Sequence, residues 1–591
     1  MLKFLHIVIW EDTPVKNWEK MFEKWNMFTT LDESLKSNLN KLKNDKDALK
    51  DAFYQELSFG TAGMRGILGA GTNRMNIYTV RKAVNGLADY LLTNRSDAKN
   101  RGIVIAYDSR YMSKEFAIES AKVLGYYGIH TYVFESLRPT PLLSFAVRHL
   151  NTAAGIMITA SHNPPEYNGF KVYNEHGSQI VPSEAQLIVE SIQQTEDELT
   201  VPTLEQAQVE EQGKLTWLSD EVDIAYLEKL HEITQLSTEE QQNDKDLQVV
   251  FTPLHGTAYD LVTKGLQQLH FSKVAVVEEQ AQPDPEFSTV KSPNPEEHQA
   301  FSKAIDLGKQ TNADILLGTD PDADRLGVAV KNSDDEYQVL TGNQLGVLLF
   351  DYIVKHIDKT KTVKPRMIKT VVTTEMGRAI AEANQVGSID TLTGFKYIGE
   401  KINQYDMTGE TFLFGFEESY GYLISSFARD KDAVQAAMMA TEMAYYWKKE
   451  GKTLFDALDL LYEKYGYYLE GMTSLTLKGQ EGSEQIEEIL TSIRESPFVE
   501  IGGMQVTTIE DYSSSIRTLT LEEKQETITL PKENMIKYLL QDDGWVCFRP
   551  SGTEPKIKYY YGVRGTNAED SHQRLLALKE SLEERVNGII D

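Results

Sequence analysis

The sequence predicts a multidomain protein in which several α/β domains precede a C-terminal α+β domain. The 591 residues are too many for one hydrophobic core and suggest roughly three to five domains. Along the chain, an apolar β-branched run, a polar loop, an amphipathic helical stretch and a second apolar run recur. After about residue 464 the pattern changes, which indicates a domain of another kind.

Each repeated unit predicts a strand, a helix and a second strand. This alternation favours parallel or mixed sheets, in which ligands bind beyond the carboxyl ends of the strands. The loops after the first strands are therefore expected to border a site. The predicted strand, helix and strand are 102–106, 113–127 and 129–134 in the first unit, 247–251, 257–269 and 274–277 in the second, and 367–372, 376–385 and 388–392 in the third.

The last part of the chain carries an alternating run at 557–563 and an amphipathic helical stretch at 567–589, which predicts the α+β domain. Two polar stretches, 194–213 and 237–246, are interpreted as domain boundaries or surface excursions.

Composition and charge limit the function. The chain is 41% hydrophobic and 25% charged, as in soluble globular proteins, and no window reaches the roughly 18 apolar residues of a membrane span. The net charge of −29 argues against general binding to nucleic acid or to an anionic membrane. An anionic substrate would therefore need positive charge gathered locally in a cleft.

The single cysteine, Cys547, excludes an intramolecular disulfide and a multi-cysteine metal site, and it fits a reducing cytoplasm. Residues 1–10 are briefly apolar, but His6 interrupts the run and Glu11 and Asp12 follow it. We therefore predict an N-terminal extension and not an export signal.

A serine motif is the most informative segment. The apolar run 153–158 delivers Ser161 into a loop, where two prolines prevent helix continuation. A serine in such a loop can be a nucleophile or a phosphoryl carrier, with His162 and Lys171 as candidates for charge stabilisation or proton transfer. An isolated Ser-His pair is more often an ordinary loop, and the G-x-S-x-G elbow of serine hydrolases is missing.

An acidic motif suggests a metal site. Asp320, Asp322 and Asp324 alternate, so their carboxylates can point to one side of an extended loop and bind a hard divalent cation. An acidic turn is the alternative. A calcium EF-hand is excluded, because its sixth and twelfth positions hold Arg325 and Lys331. Three carboxylates leave room for a phosphate oxygen, which favours magnesium.

Two further segments suggest ligand binding, although each is weak alone. Arg549 offers a bidentate fork for phosphate, and the hydroxyls and glycine that follow it add donors. Glu417 and Ser419 can bind neighbouring sugar hydroxyls, and Lys396 can reach a substrate from its loop. Turns and surface residues are the alternatives for all of them. Nothing matches a Walker or dinucleotide loop, so ATP or NAD dependence is not supported.

Together and in this order, these segments resemble the α-D-phosphohexomutase superfamily, from about residue 59 to 563. The resemblance implies that Ser161 cycles through a phosphorylated form and that Mg²⁺ binds Ser161 and the three aspartates. It implies that Arg65 reaches the active centre and that Glu417 and Ser419 recognise the sugar. The distal phosphate would bind the loop that contains Arg549, Ser551, Gly552 and Thr553.

The resemblance also implies the fold and the limits of its parts. Four domains surround a central cleft, of which three are related mixed α/β domains and the last is a smaller α+β domain. We expect an extension and lead-in helix at 1–45, domain I at 46–213, domain II at 214–332, domain III at 333–463 and domain IV at 464–591.

The implied activity is interconversion of glucose 1-phosphate and glucose 6-phosphate, with glucose 1,6-bisphosphate as intermediate and activator. The glucose-type sequence at 417–421 lacks a histidine and favours Lys431, with Lys171, as acid–base groups, because neighbouring cations can lower the pKa of a buried lysine. Phosphopentomutase, phosphomannomutase, phosphatase and non-catalytic sugar-phosphate binding are the alternatives. The sequence predicts sugar phosphates as the only partners and leaves the oligomeric state open.

Overall fold

The computed structural model describes residues 18–60, 63–357, 362–477, 479–550 and 556–590. It begins with short helices α1 (Trp18–Met27), α2 (Glu33–Leu42) and α3 (Lys46–Phe53). Asp32 and Asp45 begin α2 and α3, since each carboxylate accepts two backbone N–H groups of the first turn. Trp25 is fully buried and donates its Nε1–H to Glu198 at 2.8 Å. The predicted lead-in segment thus packs on the domain that follows, while residues 1–17 lie outside the described residues.

The first domain is built on a mixed sheet. Its strands are β1 (Met64–Ile67), β2 (Ile103–Tyr107), β3 (Thr131–Phe134), β4 (Ala154–Ile158), β5 (Tyr167–Asn174) and β6 (Leu215–Leu218), and its helices are α4 (Ile77–Asn94), α5 (Ala98–Arg101), α6 (Ser113–Tyr126), α7 (Thr140–His149), α8 (Pro182–Gln193) and α9 (Gln206–Glu211). The strand order is β1-β5-β4-β2-β3-β6, with β2, β3, β4 and β6 parallel. β5 runs antiparallel to β4 and pairs with β1. This sheet includes β6, which follows the boundary expected at residue 213.

The second domain repeats the pattern with a smaller sheet. Its strands are β7 (Val249–Thr252), β8 (Val274–Val276), β9 (Ile315–Thr319), β10 (Leu326–Lys331) and β11 (Tyr337–Val339), and its helices are α10 (Glu221–His231), α11 (Thr238–Gln242), α12 (Tyr259–Gln268), α13 (Glu278–Ala281) and α14 (Ser302–Thr311). The order is β11-β10-β9-β7-β8, in which β7, β8 and β9 are parallel. β10 turns back antiparallel to β9, so the acidic segment lies at the turn between them.

The third domain has strands in the order β13-β12-β14-β15. They are β12 (Pro365–Thr370), β13 (Gly387–Thr391), β14 (Thr411–Glu417) and β15 (Gly421–Leu423), and the helices are α15 (Gly342–His356), α16 (Met376–Ala383), α17 (Phe395–Thr408), α18 (Ala433–Lys449) and α19 (Leu454–Tyr465). β12 is parallel to both β13 and β14, and β15 is antiparallel to β14. The segment predicted to recognise the sugar forms the end of β14 and the turn into β15.

The last domain has an antiparallel sheet covered by two helices, α20 (Gly479–Glu495) and α21 (Ala568–Ile590). The strands are β16 (Tyr467–Thr476), β17 (Glu500–Ile501), β18 (Met504–Asp511), β19 (Ile516–Leu519), β20 (Lys524–Thr527), β21 (Ile536–Leu540), β22 (Trp545–Pro550) and β23 (Lys556–Gly565). Their order is β16-β23-β22-β21-β18-β19-β20, and β17 pairs with β18.

One hydrophobic core is shared by the first three domains, running from Val104 in β2 through Val249 in β7 to Phe416 in β14. The last domain has a core of its own and a smaller contact cluster with the third domain, where Val371 packs near Trp545. The predicted fold class is confirmed. Among the described residues, every helix is too short or too polar to cross a membrane.

Candidate active site

The serine loop follows directly from β4, which is buried throughout and ends at Ile158. Ser161 has a positive φ of 51°, and its backbone N–H donates to Thr159 Oγ1 at 2.8 Å. Its hydroxyl donates to Asp320 Oδ2 at 2.7 Å and lies 3.0 Å from His162 Nδ1. Because Ser161 is only 4% exposed, the fold holds a buried nucleophilic oxygen against a carboxylate from the next domain.

The acidic turn between β9 and β10 gathers three carboxylates. Asp320, Asp322 and Asp324 are buried, and one oxygen from each lies within 4.8 Å of the others. Asp320 Oδ1 accepts the backbone N–H groups of Asp324 and Arg325, both at 3.0 Å. Ala323, with a φ of 54°, completes the tight turn. The local hydrogen bonds therefore fold the alternating aspartates into one cluster.

This cluster fits a divalent metal ion. Asp322 Oδ1 and Asp324 Oδ1 are buried and have no hydrogen-bond partner within the described part of the chain. Unpaired buried carboxylate oxygens are costly unless a cation binds them, and an all-oxygen set suits Mg²⁺ or Ca²⁺. The nearby Ser161 Oγ adds a further oxygen. The residues present thus match the metal site expected from the sequence.

Burial and charge perturb the titration of the cluster. Burial raises the pKa of Asp320 well above its ordinary value, and the charges of Asp322 and Asp324 add to the increase. Burial also acts to raise the pKa of Asp322, but the ammonium of Lys171, at 2.9 Å, together with hydrogen bonds from Asp320 and Thr140, outweighs burial and the pKa is lowered. Mutual repulsion of this kind is the reason why a cation would stabilise the ionised cluster.

Two lysines from different domains reach the same carboxylates. Lys171 on β5 forms ion pairs with Asp322 at 2.9 Å and Asp324 at 3.7 Å. Lys431, between β15 and α18, pairs with Asp324 at 3.1 Å and Asp430 at 3.3 Å. The structure therefore brings together two lysines that are 260 positions apart in the sequence.

The direction that we predicted for the pKa shift of these lysines is wrong. We expected neighbouring cations to lower their pKa values. Burial does act to lower the pKa of Lys171, but the charges of Asp322 and Asp324 override it and raise the pKa. The pKa of Lys431 is raised in the same way, chiefly by Asp324. Because carboxylates are the nearest charges, both side chains are ammonium ions, suited to donating a proton or binding phosphate oxygens.

His162 and Arg65 lie beside the serine loop. Burial, together with the charges of Arg325 and Arg65, lowers the pKa of His162 to about 2. The imidazole is therefore neutral near pH 7 and cannot supply positive charge, although it stays within hydrogen-bond distance of Ser161 Oγ. Arg65 on β1 donates its Nη1–H to Asn163 Oδ1 at 2.8 Å.

The candidate sugar-binding residues lie at the turn after β14. Glu417 is buried, and Gly394 N donates to its Oε1 at 2.8 Å. Burial raises the pKa of Glu417 to about 7, against the opposing charge of Lys431. Ser419 is half-buried two positions on. The turn contacts the acidic loop directly, since Leu326 N donates to Tyr420 O at 3.1 Å.

Candidate phosphate ligands meet where the third and fourth domains face each other. Arg549 at the end of β22 donates its Nε–H to Glu533 Oε1 at 2.9 Å. Lys396, in the first turn of α17, has its pKa lowered by burial and by the charge of Arg549, while Glu533 opposes the shift. The other predicted ligands, Ser551, Gly552 and Thr553, lie outside the described residues.

Sequence reasoning missed some residues that shape the site. Thr140, at the start of α7, donates its backbone N–H to Asp322 O and its hydroxyl to Asp322 Oδ2, both at 2.9 Å. Glu533 orients Arg549 from a loop without a motif. Arg110 contacts the serine loop, and its position after the first strand of a repeated unit was the only available signal.

The fold and the site together define a class. A buried serine, a metal-suited carboxylate cluster and surrounding cations, placed between α/β domains, are typical of metal-assisted phosphoryl-transfer enzymes.

The chain belongs to the phosphoglucomutase/phosphomannomutase family. The family's alpha/beta/alpha domain I matches residues 56–199 of this chain, its domain II matches residues 225–333, and its domain III matches residues 341–465. The predicted family is thereby confirmed, and the chain is an intramolecular phosphotransferase.

Relatives and solved structures agree with this membership. A phosphoglucomutase of Staphylococcus aureus (strain bovine RF122 / ET3-1) is 41% identical over 532 residues, which are 90% of this chain and 93% of the relative. A family member from Burkholderia thailandensis superposes with a TM-score of 0.64 at 18% identity, over 90% of this chain and 97% of that one. The Paramecium phosphoglucomutase parafusin, in an open form, gives 0.65 at 16% identity, over 91% and 95%. At these identities the two structures show the shared fold alone.

Proposed function

We propose that the protein is a phosphoglucomutase, which interconverts glucose 1-phosphate and glucose 6-phosphate through a phosphoserine at Ser161. The observation that carries the proposal is the 2.7 Å contact between Ser161 Oγ and Asp320 Oδ2 inside a buried carboxylate cluster. The staphylococcal relatives named phosphoglucomutase support glucose as the sugar.

The proposed reaction has two transfers. Phospho-Ser161 first donates its phosphoryl group to the 6-hydroxyl of glucose 1-phosphate. The bond between phosphorus and Ser161 Oγ breaks, a bond to the sugar O6 forms, and the hydroxyl proton ends on Ser161 Oγ. The glucose 1,6-bisphosphate then turns over in the cleft. Its 1-phosphoryl group returns to Ser161, the serine proton ends on the sugar O1, and glucose 6-phosphate leaves.

Mg²⁺ is the proposed metal, held by Asp320, Asp322, Asp324 and an oxygen of the serine. When bound, it would neutralise charge on the phosphoryl oxygens. Arg65 and the ammonium groups of Lys171 and Lys431 add fixed positive charge. As ammonium ions, the two lysines are the proposed donors of a proton to the oxygen that loses the phosphoryl group.

The rest of the substrate is proposed to bind across the cleft. Glu417 and Ser419 would accept and donate hydrogen bonds to sugar hydroxyls. Lys396 and Arg549, with residues 551–553, would hold the phosphate that does not react. The protein has a net charge of −29, so an anionic substrate needs positive charge gathered locally in the cleft. These arginine and lysine side chains would supply that charge.

The domain limits, the partners and the location of the protein are further proposals. We propose the domain limits given under Sequence analysis, except that the first domain extends through β6 to residue 218. We also propose sugar phosphates as the small-molecule partners, and a cytoplasmic location, which the single buried Cys547 supports. Glucose 1,6-bisphosphate is the proposed activator, because it would phosphorylate Ser161 when the phosphoryl group has been lost.

Substitution of Ser161 tests the proposal. Ser161→Ala removes the acceptor oxygen, so we expect turnover to fall by at least about 10³-fold and labelling by ³²P-glucose 1,6-bisphosphate to disappear. Ser120→Ala is the matched control, because that buried hydroxyl donates to Phe116 O of its own helix at 2.7 Å. Wild-type enzyme that isomerises glucose 1-phosphate without label at Ser161 would refute the proposal.

A substrate panel separates the alternatives. Purified protein with Mg²⁺ and the bisphosphate is expected to act faster on glucose 1-phosphate than on ribose 1-phosphate or mannose 1-phosphate. Release of inorganic phosphate in place of isomerisation would indicate a phosphatase. Binding without either reaction would indicate a non-catalytic protein.

A further inference from the structure

One arginine donates hydrogen bonds to several main-chain carbonyls of the serine loop. Arg110 follows β2 and is 4% exposed. Its Nη2 donates to Ser161 O at 2.6 Å and also to Asn163 O. Its Nη1 donates to Pro164 O at 2.8 Å and Tyr167 O at 3.0 Å. One guanidinium therefore satisfies main-chain carbonyls along the whole loop from residue 161 to 167.

Such a set of carbonyls requires a cation. Carbonyl dipoles that point to one spot repel one another, and buried carbonyls without donors are costly. Pro164 and Pro165 have no backbone N–H, so the loop has fewer internal donors than an ordinary turn. A planar guanidinium offers several N–H groups in fixed directions, which an ammonium does not.

Arg110 is itself held from two domains. Asp108 Oδ2 lies 3.4 Å from its Nε, and Asp108 Oδ1 accepts the Arg110 backbone N–H at 3.0 Å. On the other side, the ring of Phe287, from the second domain, lies 4.9 Å from the guanidinium carbon. These contacts fix the position of the guanidinium, and the carbonyls of the serine loop bind to it there.

We propose that Arg110 is a positioning residue for phosphoryl transfer, which sets the place of Ser161 Oγ relative to the acidic cluster by holding four main-chain carbonyls of the serine loop, those of Ser161, Asn163, Pro164 and Tyr167. The inference rests on the proposed role of Ser161. It assigns Arg110 no contact with the sugar phosphate, because its N–H groups are already directed at the loop.

This role predicts a particular kinetic change. Ser161 O is bound by Arg110 while Ser161 Oγ is bound by Asp320, so a relaxed loop would move the reactive oxygen away from the cluster. Misplacement of about 1 Å can reduce a rate by about 10²-fold. The proposed sugar and distal phosphate ligands lie on other domains, so binding should change little.

The test compares Arg110→Ala with wild type and with Arg101→Ala. Arg101 also donates to two main-chain carbonyls of the first domain, Asn151 O at 2.9 Å and Thr152 O at 3.0 Å, but it does so at the amino end of β4. We expect Arg110→Ala to lower kcat for glucose 1-phosphate about 10²-fold with little change in KM, to slow labelling of Ser161 by the bisphosphate, and to recover partly with guanidinium ion. Arg101→Ala should keep its kcat.

Other outcomes are decisive. The positioning role is overturned if Arg110→Ala is labelled and turns over like wild type. It is also overturned if the substitution raises KM and leaves kcat unchanged. Loss without guanidinium rescue, matched by Arg101→Ala, would mean general destabilisation. If Arg110→Ala does not fold, Arg110→Lys replaces it, and an unchanged kcat there would also overturn the role. Wild-type protein without label at Ser161 would instead refute the proposed function.

Discussion

At the scale of single residues, Lys431 is fixed by the aspartates on each side of it. Asp430 Oδ2 accepts the hydroxyl of Tyr173 from the first domain at 2.6 Å. Asp432 accepts the hydroxyl of Tyr226 from the second domain at 2.7 and 2.8 Å. The backbone around the lysine is thus bound to both other α/β domains, so its ammonium should be well oriented toward Asp324.

We predict that Tyr173→Phe lowers kcat more than it changes KM. The substitution leaves the buried Asp430 carboxylate short of one hydrogen bond, which costs about 1–3 kcal/mol. The freed oxygen would compete for Lys431, whose Nζ already lies 3.3 Å from Asp430 Oδ1. We expect about a tenfold loss in kcat and a lower Tm.

Tyr559→Phe is the control for this substitution. Its hydroxyl is also buried but has no hydrogen-bond partner among the described residues. Steady-state kinetics and thermal melting of both variants give the comparison. Equal effects of the two substitutions would show that Tyr173 does not position Lys431.

The residues of the site were predictable only in part. Ser161 and the aspartates stand in short motifs whose spacing carries information, and the structure brings them together. Thr140 and Tyr173 carry no local signal, and Arg110 offers only its position after the first strand of a repeated unit, because their roles depend on contacts with segments far away in the sequence. The sign of the lysine pKa shifts was wrong for the same reason, since it depends on which charges lie nearest.

At the scale of elements, one hairpin places two of the proposed catalytic groups. β4 and β5 pair with Met157 opposite Lys171, so the loop that joins them carries Ser161 while β5 carries Lys171. Side chains alternate along a strand, which puts Tyr173 on the same face as Lys171. The hairpin thereby directs Ser161 and Lys171 toward the acidic turn between β9 and β10, while Tyr173 reaches Asp430.

Another element contact shapes the sugar loop. Gly342 begins α15, and a Cβ there would lie 2.0 Å from Glu418 O and 2.9 Å from Tyr420 N. We predict that Gly342→Ala displaces the turn between Glu417 and Ser419 and raises KM for glucose 1-phosphate. Overpacking of this kind costs about 1–3 kcal/mol.

The matched control is Gly588→Ala in α21, where nothing lies within 4 Å of the added carbon. It should leave KM unchanged and tend to stabilise its helix. Substrate titration of both variants measures the difference. A normal KM for Gly342→Ala would show that the turn tolerates the displacement.

The repeated units were predictable because strand and helix periods differ. The unit expected at 102–106, 113–127 and 129–134 is β2, α6 and β3, and the C-terminal strand and helix are β23 and α21. The strands β5 and β10, each antiparallel to the strand before it, were not predicted. Pairing direction leaves little trace in a short apolar run. The short helices before residue 54 carry no motif and were anticipated only as a lead-in.

At the scale of the whole molecule, the last domain is bound to the third domain through the loop after β12. Lys537, 3% exposed, donates to Val371 O at 2.6 Å. Glu470 of the last domain also accepts a hydrogen bond from Asn343 Nδ2, on α15, at 3.1 Å. The loop after β12 in turn holds Glu418, because Thr373 Oγ1 donates to the Glu418 carboxylate at 3.1 Å. Movement of the last domain would therefore be transmitted to the turn that we propose to bind the sugar.

This junction was not predictable from the sequence. Glu470 lies on a strand with an alternating pattern, where a charged side chain is normally a solvated one. Lys537 stands within an apolar run and carries no motif. Only the packing of one domain against another buries Lys537 and partly buries Glu470. That packing depends on surfaces formed by segments far apart in the sequence.

Glu470 makes the stability of this junction depend on pH. Burial raises the pKa of its carboxyl to about 7 from an ordinary 4.5; Thr374, Asn343 and Lys369 oppose the shift and Glu375 adds to it. At low pH both the folded and the unfolded chain hold the proton. As pH rises from about 4.5 to 7, the unfolded chain releases it first, so folding loses at most about 3 kcal/mol.

We therefore predict that Glu470→Gln, which stays neutral at every pH, raises Tm above the wild-type value at pH 8 and that this advantage fades as pH falls toward 4.5. Glu500→Gln, at an exposed position on β17, is the control and should show no such trend. Calorimetric melting of the three proteins between pH 4.5 and 8.5 measures it. The opposite sign, with Glu470→Gln less stable at pH 8, would mean that the ionised carboxylate binds the third domain strongly enough to outweigh its burial.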